Sequence, residues 1–150
     1  MTADHDPLGL DNQLCFAAYS TAHAFNRLYR QHLSALGLTY PQYLVLLVLW
    51  ENAPVPVKAI GDRLMLDSGT LTPLLKRMET MGLIIRERAS HDERQVLVRP
   101  STAGLALKDR ARALPPAIAC ATGLDPESLG RMVEDLQTLR TRLLANAQPE

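Results

Sequence analysis

Apolar residues recur at helical spacing along most of the chain. Leu14, Ala18, Ala22, Phe25, Tyr29 and Leu33 stand three or four apart, which predicts a long helix over about residues 9–36, closed by Gly37. Residues 43–50, YLVLLVLW, are apolar all round. A helix without a polar face is buried on every side, so this one belongs to a core or an interface. Thr39 or Tyr40 precedes it, with Pro41 placed at the first helical position. Residues 51–56 form a Pro-rich break, and residues 1–7, polar and without pattern, are expected to lack fixed structure.

Residues 57–100 change period twice. Ala59, Ile60 and Leu64 predict a short amphipathic helix just after Pro56, and Met65, Leu66 and Asp67 are the turn that follows. Asp67 or Ser68 caps a second helix whose apolar face is Leu71, Leu74, Leu75, Met78 and Met81, with Gly82 as its stop. Its other face carries Ser68, Thr70, Thr72, Lys76 and Arg77, hydroxyls and cations of the kind that bond phosphates and base edges. Pro73 breaks the pattern, because inside a helix it removes an amide and crowds the carbonyl of Gly69. Either the helix starts nearer Thr70 or Thr72, or its first turn is bent.

Residues 83–88 and 95–99 then read as two strands of a hairpin whose link, 89–94, is short and polar. Arg86, Arg88, His91 and Arg94 make that hairpin basic, and a long cation at its tip can enter a minor groove. Each piece alone reads sooner as a solvated surface. Their order, helix, three-residue turn, hydroxyl-rich helix and basic hairpin, is that of a winged helix-turn-helix, and it points to double-stranded DNA.

Beyond the hairpin, residues 101 to about 113 are helical and Pro115-Pro116 interrupts or restarts them. From Asp125 or Pro126 onward, Leu129, Met132, Leu136, Leu139 and Leu143 alternate three and four apart as a coiled-coil seam. Such a seam needs a partner, either the first helix of the same chain or the terminal helices of a second subunit. Two subunits would span two half-sites, which favours a homodimer on a pseudo-palindromic operator. The fold class expected is mainly α with a small β-wing. The chain, 1–150, is one domain in which 7–36 and 101–148 are dimerisation helices and 37–100 the winged lobe.

Composition adjusts this little. A chain of 150 residues buries a real core but is not a multidomain enzyme. Net charge is zero, so affinity for DNA must come from a few placed cations: residues 57–99 hold eight Lys/Arg against six Asp/Glu. No apolar run is long enough to span a membrane and the acidic start is unlike a signal peptide, so the expected location is cytoplasmic, with no membrane partner. His5, His23, His32 and His91 share no metal-ligand spacing with Cys15 and Cys120, and no phosphate loop or carboxylate pair occurs. No metal, no cofactor and no enzymatic activity are expected.

The resemblance to a known family covers nearly the whole chain. Gly82-Leu83-Ile84, Asp92-Glu93-Arg94 and a Gly at 104 after a capping hydroxyl resemble the hallmark of the MarR family of bacterial regulators. Pro100-Ser101 departs from the Leu-Thr frequent there, and Ser101 can still cap the next helix.

Cys15 lies near the start of the first helix, where unpaired amides and the helix dipole stabilise negative charge on sulfur, with Tyr19 one turn on. On residue type alone it reads sooner as a small buried hydrophobe, the fate of most free cysteines. Residues 13–33 and 37–51 are, however, similar to the OhrR branch of the MarR family, the sensors of organic hydroperoxides. That resemblance implies that Cys15 is the peroxide-reactive cysteine and that Tyr29 and Tyr40 hydrogen-bond to it. From the sequence alone Cys120 reads as a buried cysteine near a helix start, whereas similarity to the two-cysteine OhrR type implies it as the resolving cysteine, in an intersubunit disulfide. Fourteen positions at 1.5 Å each put Tyr29 about 21 Å from Cys15 on one straight helix, so their contact must cross a dimer unless the helix breaks.

The function implied is a repressor that releases DNA when an organic hydroperoxide oxidises Cys15. Two other readings stay open: a MarR-type repressor gated by a small phenolic ligand, and a thiol peroxidase, for which the wing has no use.

Overall fold

The computed structural model describes residues 6–148. The expectation for residues 1–7 therefore lies outside the described residues except at Asp6 and Pro7. Those two are ordered by a turn in which the Asp6 carboxylate accepts from the Leu8 amide at 2.9 Å. The chain forms two compact units, one ending at Arg112 and one beginning at Ala113.

In the first unit, helix α1 (Leu14–Leu33) is shorter than its apolar pattern, because single 3₁₀ turns, Leu10–Asn12 and Ser34–Leu36, flank it. Gln13 is extended at the junction, and its side-chain amide donates to the Pro7 carbonyl at 2.6 Å. Gly37, at φ 67°, ends the run as expected.

Helix α2 (Tyr40–Asn52) begins with a reciprocal cap. The Gln42 amide donates to Thr39 Oγ1 and the Thr39 amide to Gln42 Oε1. Pro41 is consequently the second helical residue, a position whose amide needs no intrahelical acceptor. The uniform apolarity of α2 is explained by its place: Tyr43, Val45, Leu46, Val48 and Leu49 are all buried at the centre of the unit.

Three elements follow in close order. Residues 51–56 are more than a break, since β1 (Val55–Pro56) adds a third strand to the expected hairpin. With β2 (Ile84–Arg88) and β3 (Val96–Pro100) the antiparallel order is β1-β3-β2, Val55 standing opposite Val98. A proline is tolerated there because β1 is an edge. Helix α3 (Val57–Leu64) ends at Met65, which is left-handed at φ 57°. Helix α4 (Ser68–Thr80) is capped by the Asp67 carboxylate, which accepts from the Thr70 amide at 2.8 Å. Because α4 starts at Ser68, Pro73 is its sixth residue, and a start nearer Thr70 or Thr72 is excluded. Pro73 therefore leaves the Gly69 carbonyl without its usual donor, on an exposed turn where water can reach it.

Gly82, at φ 74°, turns the chain from α4 into β2 (Ile84–Arg88), which pairs with β3 (Val96–Pro100) in the register Arg86 opposite Val98. Leu83 closes the helix rather than opening the strand, its amide donating to the Met78 carbonyl at 3.0 Å. Helix α5 (Thr102–Ala111) is capped by Ser101, whose Oγ accepts from the Gly104 amide at 3.1 Å and itself donates to the Gly82 carbonyl. Glycine is required at 104, where a Cβ would lie 2.1 Å from the Leu83 carbonyl oxygen. The Trp50 indole donates to the Gly104 carbonyl at 3.1 Å, tying α5 to α2.

In the second unit, Pro115 and Pro116 restart a helix, α6 (Leu114–Thr122), in its first turn. Gly123 ends it, and Asp125 caps α7 (Pro126–Asn146). Helix α7 buries none of its residues: Met132, Leu136 and Leu143 of the predicted seam are 48, 52 and 63% exposed. No single helix among the described residues is long and apolar enough to cross a membrane.

The architecture is mainly helical with a small antiparallel wing, a winged helix-turn-helix as expected.

Candidate functional site

Helix α4 separates its residues by polarity. Leu71, Leu75 and Met78 are buried at 2% or less, while Ser68, Thr70, Thr72, Lys76 and Arg77 are all exposed on the other side. Met81, expected on the apolar face, is instead 44% exposed. It lies past the helix end, where its sulfur accepts from Gln42 Nε2 at 3.5 Å.

At the tip of the wing Asp92 organises the chain. Its carboxylate accepts from the Arg94 amide at 2.9 Å and its carbonyl from the Gln95 amide at 3.0 Å. Such a side-chain-closed turn holds its residues without a further strand, and His91 and Arg94 project from it into solvent. Among the described residues no carboxylate lies within 4.0 Å of the cations of Lys76, Arg77, Arg88 or Arg94. Arg86 differs, because its Nε and Nη2 donate to the carboxylate of Glu79, at 3.2 and 3.0 Å. Arg99 likewise pairs with Glu87 at 2.9 Å.

The predicted sensor residues fall at the two ends of α1. Cys15 is the second residue of the helix, exposed, with no side chain capping the first turn. Tyr19, 63% exposed, packs its ring edge-on against His23 with centroids 4.4 Å apart. At the far end Tyr29 meets Tyr40 at 4.5 Å. Helix α1 is unbroken between Cys15 and Tyr29, so the two do not meet within one chain.

Tyr43 joins the pair, 5.9 Å from Tyr29 and 6.4 Å from Tyr40, and Trp50 lies 6.5 Å beyond it. Tyr43 carries no sequence signal of its own as a site residue, because it sits inside an apolar run. Its spacing of three from Tyr40 places the two on one face of α2. Burial pushes the Tyr29 phenol up to about 12, and its phenol neighbours Tyr40 and Tyr43 add to the shift. Tyr40 and Tyr43 are raised too, chiefly by burial. All three are therefore hydroxyl donors at neutral pH. Cys120 is exposed near the end of α6.

A family model described as transcriptional regulator SarA/Rot matches residues 27–110. The chain is 49% identical over 146 residues to the HTH-type transcriptional regulator TtmR of Methylorubrum extorquens, covering 97% of this chain and 75% of that one. It is 46% identical over 138 residues to the organic hydroperoxide resistance transcriptional regulator of Bacillus subtilis, covering 92% and 89%. Reduced AbfR bound to DNA is similar at a TM-score of 0.73 and 37% identity, covering 95% of this chain and 99% of that one. A disulfide-formed AbfR is similar at 0.61 and 39%, covering 87% and 91%. The chain thus belongs to the SarA/Rot and MarR-type family of winged-helix transcriptional regulators.

Proposed function

We propose that this regulator is a redox-sensing repressor that binds operator DNA as a homodimer and releases it when an organic hydroperoxide oxidises Cys15. One observation carries the reading: an exposed Cys15 and a cluster of protonated tyrosines stand at opposite ends of one unbroken helix. Antiparallel pairing of two such helices would bring the cysteine of one protomer to the tyrosines of the other. The apolar residues left exposed on α1, among them Leu14 and Phe25, supply contact for such pairing. Similarity to the Bacillus regulator and to AbfR in its reduced, DNA-bound and disulfide forms supports the same reading.

The chemistry is a two-electron oxidation. The Cys15 thiolate attacks the outer oxygen of the peroxide, the O–O bond breaks, and an alcohol leaves once its alkoxide takes a proton. Tyr29 and Tyr40 of the partner, with Tyr19 as a further candidate, donate hydroxyls to the thiolate before the reaction. The resulting sulfenic acid condenses with the Cys120 thiol of the partner, forming an S–S bond and releasing water. Both steps change what the tyrosines can bond and so shift the spacing of the two reading heads. Each head would place α4 in a major groove through Ser68, Thr70, Thr72, Lys76 and Arg77. The wing, through Arg88, His91 and Arg94, would reach the adjacent backbone and minor groove.

The test is a DNA-binding titration by anisotropy on an operator duplex, with and without cumene hydroperoxide. Peroxide should release the native protein and leave Cys15→Ser bound. Release of Cys15→Ser by peroxide would refute the proposal, and release by salicylate-like ligands alone would favour ligand gating. Continuous turnover of peroxide with DNA binding unaffected would favour the peroxidase reading. Non-reducing electrophoresis after oxidation should show a covalent dimer that Cys120→Ser abolishes; a monomer band alone would overturn the role given to Cys120.

A further inference from the structure

Arg86 lies at the centre of β2, opposite Val98. Strand alternation places Ile84, Arg86 and Val98 on one face, and Ile84 and Val98 are buried at 2 and 0% exposure. The side chain of Arg86 therefore leaves from the packed face of the wing. Its Nε and Nη2 donate side by side to Glu79, one residue before the end of α4, in a fork-to-carboxylate pair. Glu79 is correspondingly held below the usual carboxylate range by the hydrogen bond from Arg86.

That pair spans the covalent joint between α4 and the wing, residues 81–83, where the chain turns at Gly82 (φ 74°). A wing about 16 Å long, five residues at the usual strand rise, moves its tip by about 3 Å for a tilt of roughly 10°. A shift of that size separates a side chain from a hydrogen-bond partner.

We propose that Glu79 and Arg86 form a clamp that sets the angle of the wing against α4, making Arg86 a positioning residue and not a phosphate contact. The proposal rests on the reading that α4 and the wing dock together on a duplex. It removes Arg86 from the groove-contacting cations and assigns a function to an acidic residue that would otherwise only repel DNA.

Two roles for Arg86 predict opposite signs at Glu79. With the full-length protein and a duplex selected from a randomised pool by native protein, affinity is measured over a range of salt. For a clamp, Glu79→Gln and Arg86→Gln each weaken binding by about tenfold with an unchanged salt slope, since no phosphate contact is lost. Arg86→Lys fails to restore it, because an ammonium cannot form the fork. The exchanged pair Glu79→Arg with Arg86→Glu recovers most of the loss.

If instead Arg86 meets a phosphate, Glu79→Gln binds as well as or better than native. Arg86→Gln then lowers the salt slope by about one, and Arg86→Lys rescues. That pattern overturns the clamp. Should native protein select no duplex at all, the DNA-reading proposal fails on its own. Amide hydrogen exchange in β2 and β3 of the free protein then decides the clamp: faster exchange in both single variants upholds it, and native exchange overturns it.

Discussion

Cys15 and Tyr29 occupy the same helix fourteen positions apart, about 21 Å along its axis. A phenol must come within roughly 3.5 Å of a sulfur to bond it, so a cysteine answered by Tyr29 must be answered by another chain. Mixed dimers test this directly. Chains carrying Cys15→Ser and Tyr29→Phe are co-expressed with different tags and the mixed species is isolated.

Across a dimer, the mixed species holds one site with both Cys15 and Tyr29 and one site with neither. Within a chain, its single cysteine would always face Phe at 29. A hydrogen bond to a charged acceptor contributes about 1.5–3 kcal/mol, so the Tyr29→Phe homodimer should form sulfenic acid roughly ten- to a hundredfold more slowly. The mixed dimer should return to the native rate with half the native yield, read by trapping the sulfenic acid with dimedone and weighing the intact protein. A mixed dimer as slow as the Tyr29→Phe homodimer would refute the intersubunit site.

Gly104→Ala places a methyl 2.1 Å from the Leu83 carbonyl oxygen. Relief must disturb the bonds from the Ser101 amide and the Trp50 indole, at 3.0 and 3.1 Å. Overpacking and lost bonds outweigh the roughly 1 kcal/mol that alanine adds in a helix, so urea unfolding should show a loss of about 2–4 kcal/mol. Stability equal to native would contradict the close approach. Lys76→Ala, Arg77→Ala and Arg94→Ala should each weaken DNA binding and reduce the salt slope by about one; unchanged affinity moves the reading face elsewhere. At high pH, the Tyr29 phenol, raised from 10.0 to about 12, ionises first in the unfolded chain. Its contribution to stability is therefore complete below pH 10 and is lost as pH rises toward 12. Tyrosinate absorbance of the native protein should accordingly show ionisation delayed beyond that of the unfolded chain, and a single transition near pH 10 would contradict the burial.

Much of this protein was legible in the order of its residues. Helical spacing, the caps at Thr39, Asp67 and Ser101 and the stops at Gly37 and Gly82 are local devices, in which each side chain satisfies backbone groups a few positions away. The apolar and polar sides of α4 follow from the same period, and so do the exposed hydroxyls and cations of its polar side. Tertiary structure decided what depends on distant partners. Val55 and Pro56 become a strand only because β3 offers an edge, and two residues carry no period of their own. Tyr43 joins Tyr29 only when α2 packs against α1. Arg86, read from sequence as one of the hairpin's basic residues, pairs with Glu79 only because Gly82 folds the wing back toward the end of α4.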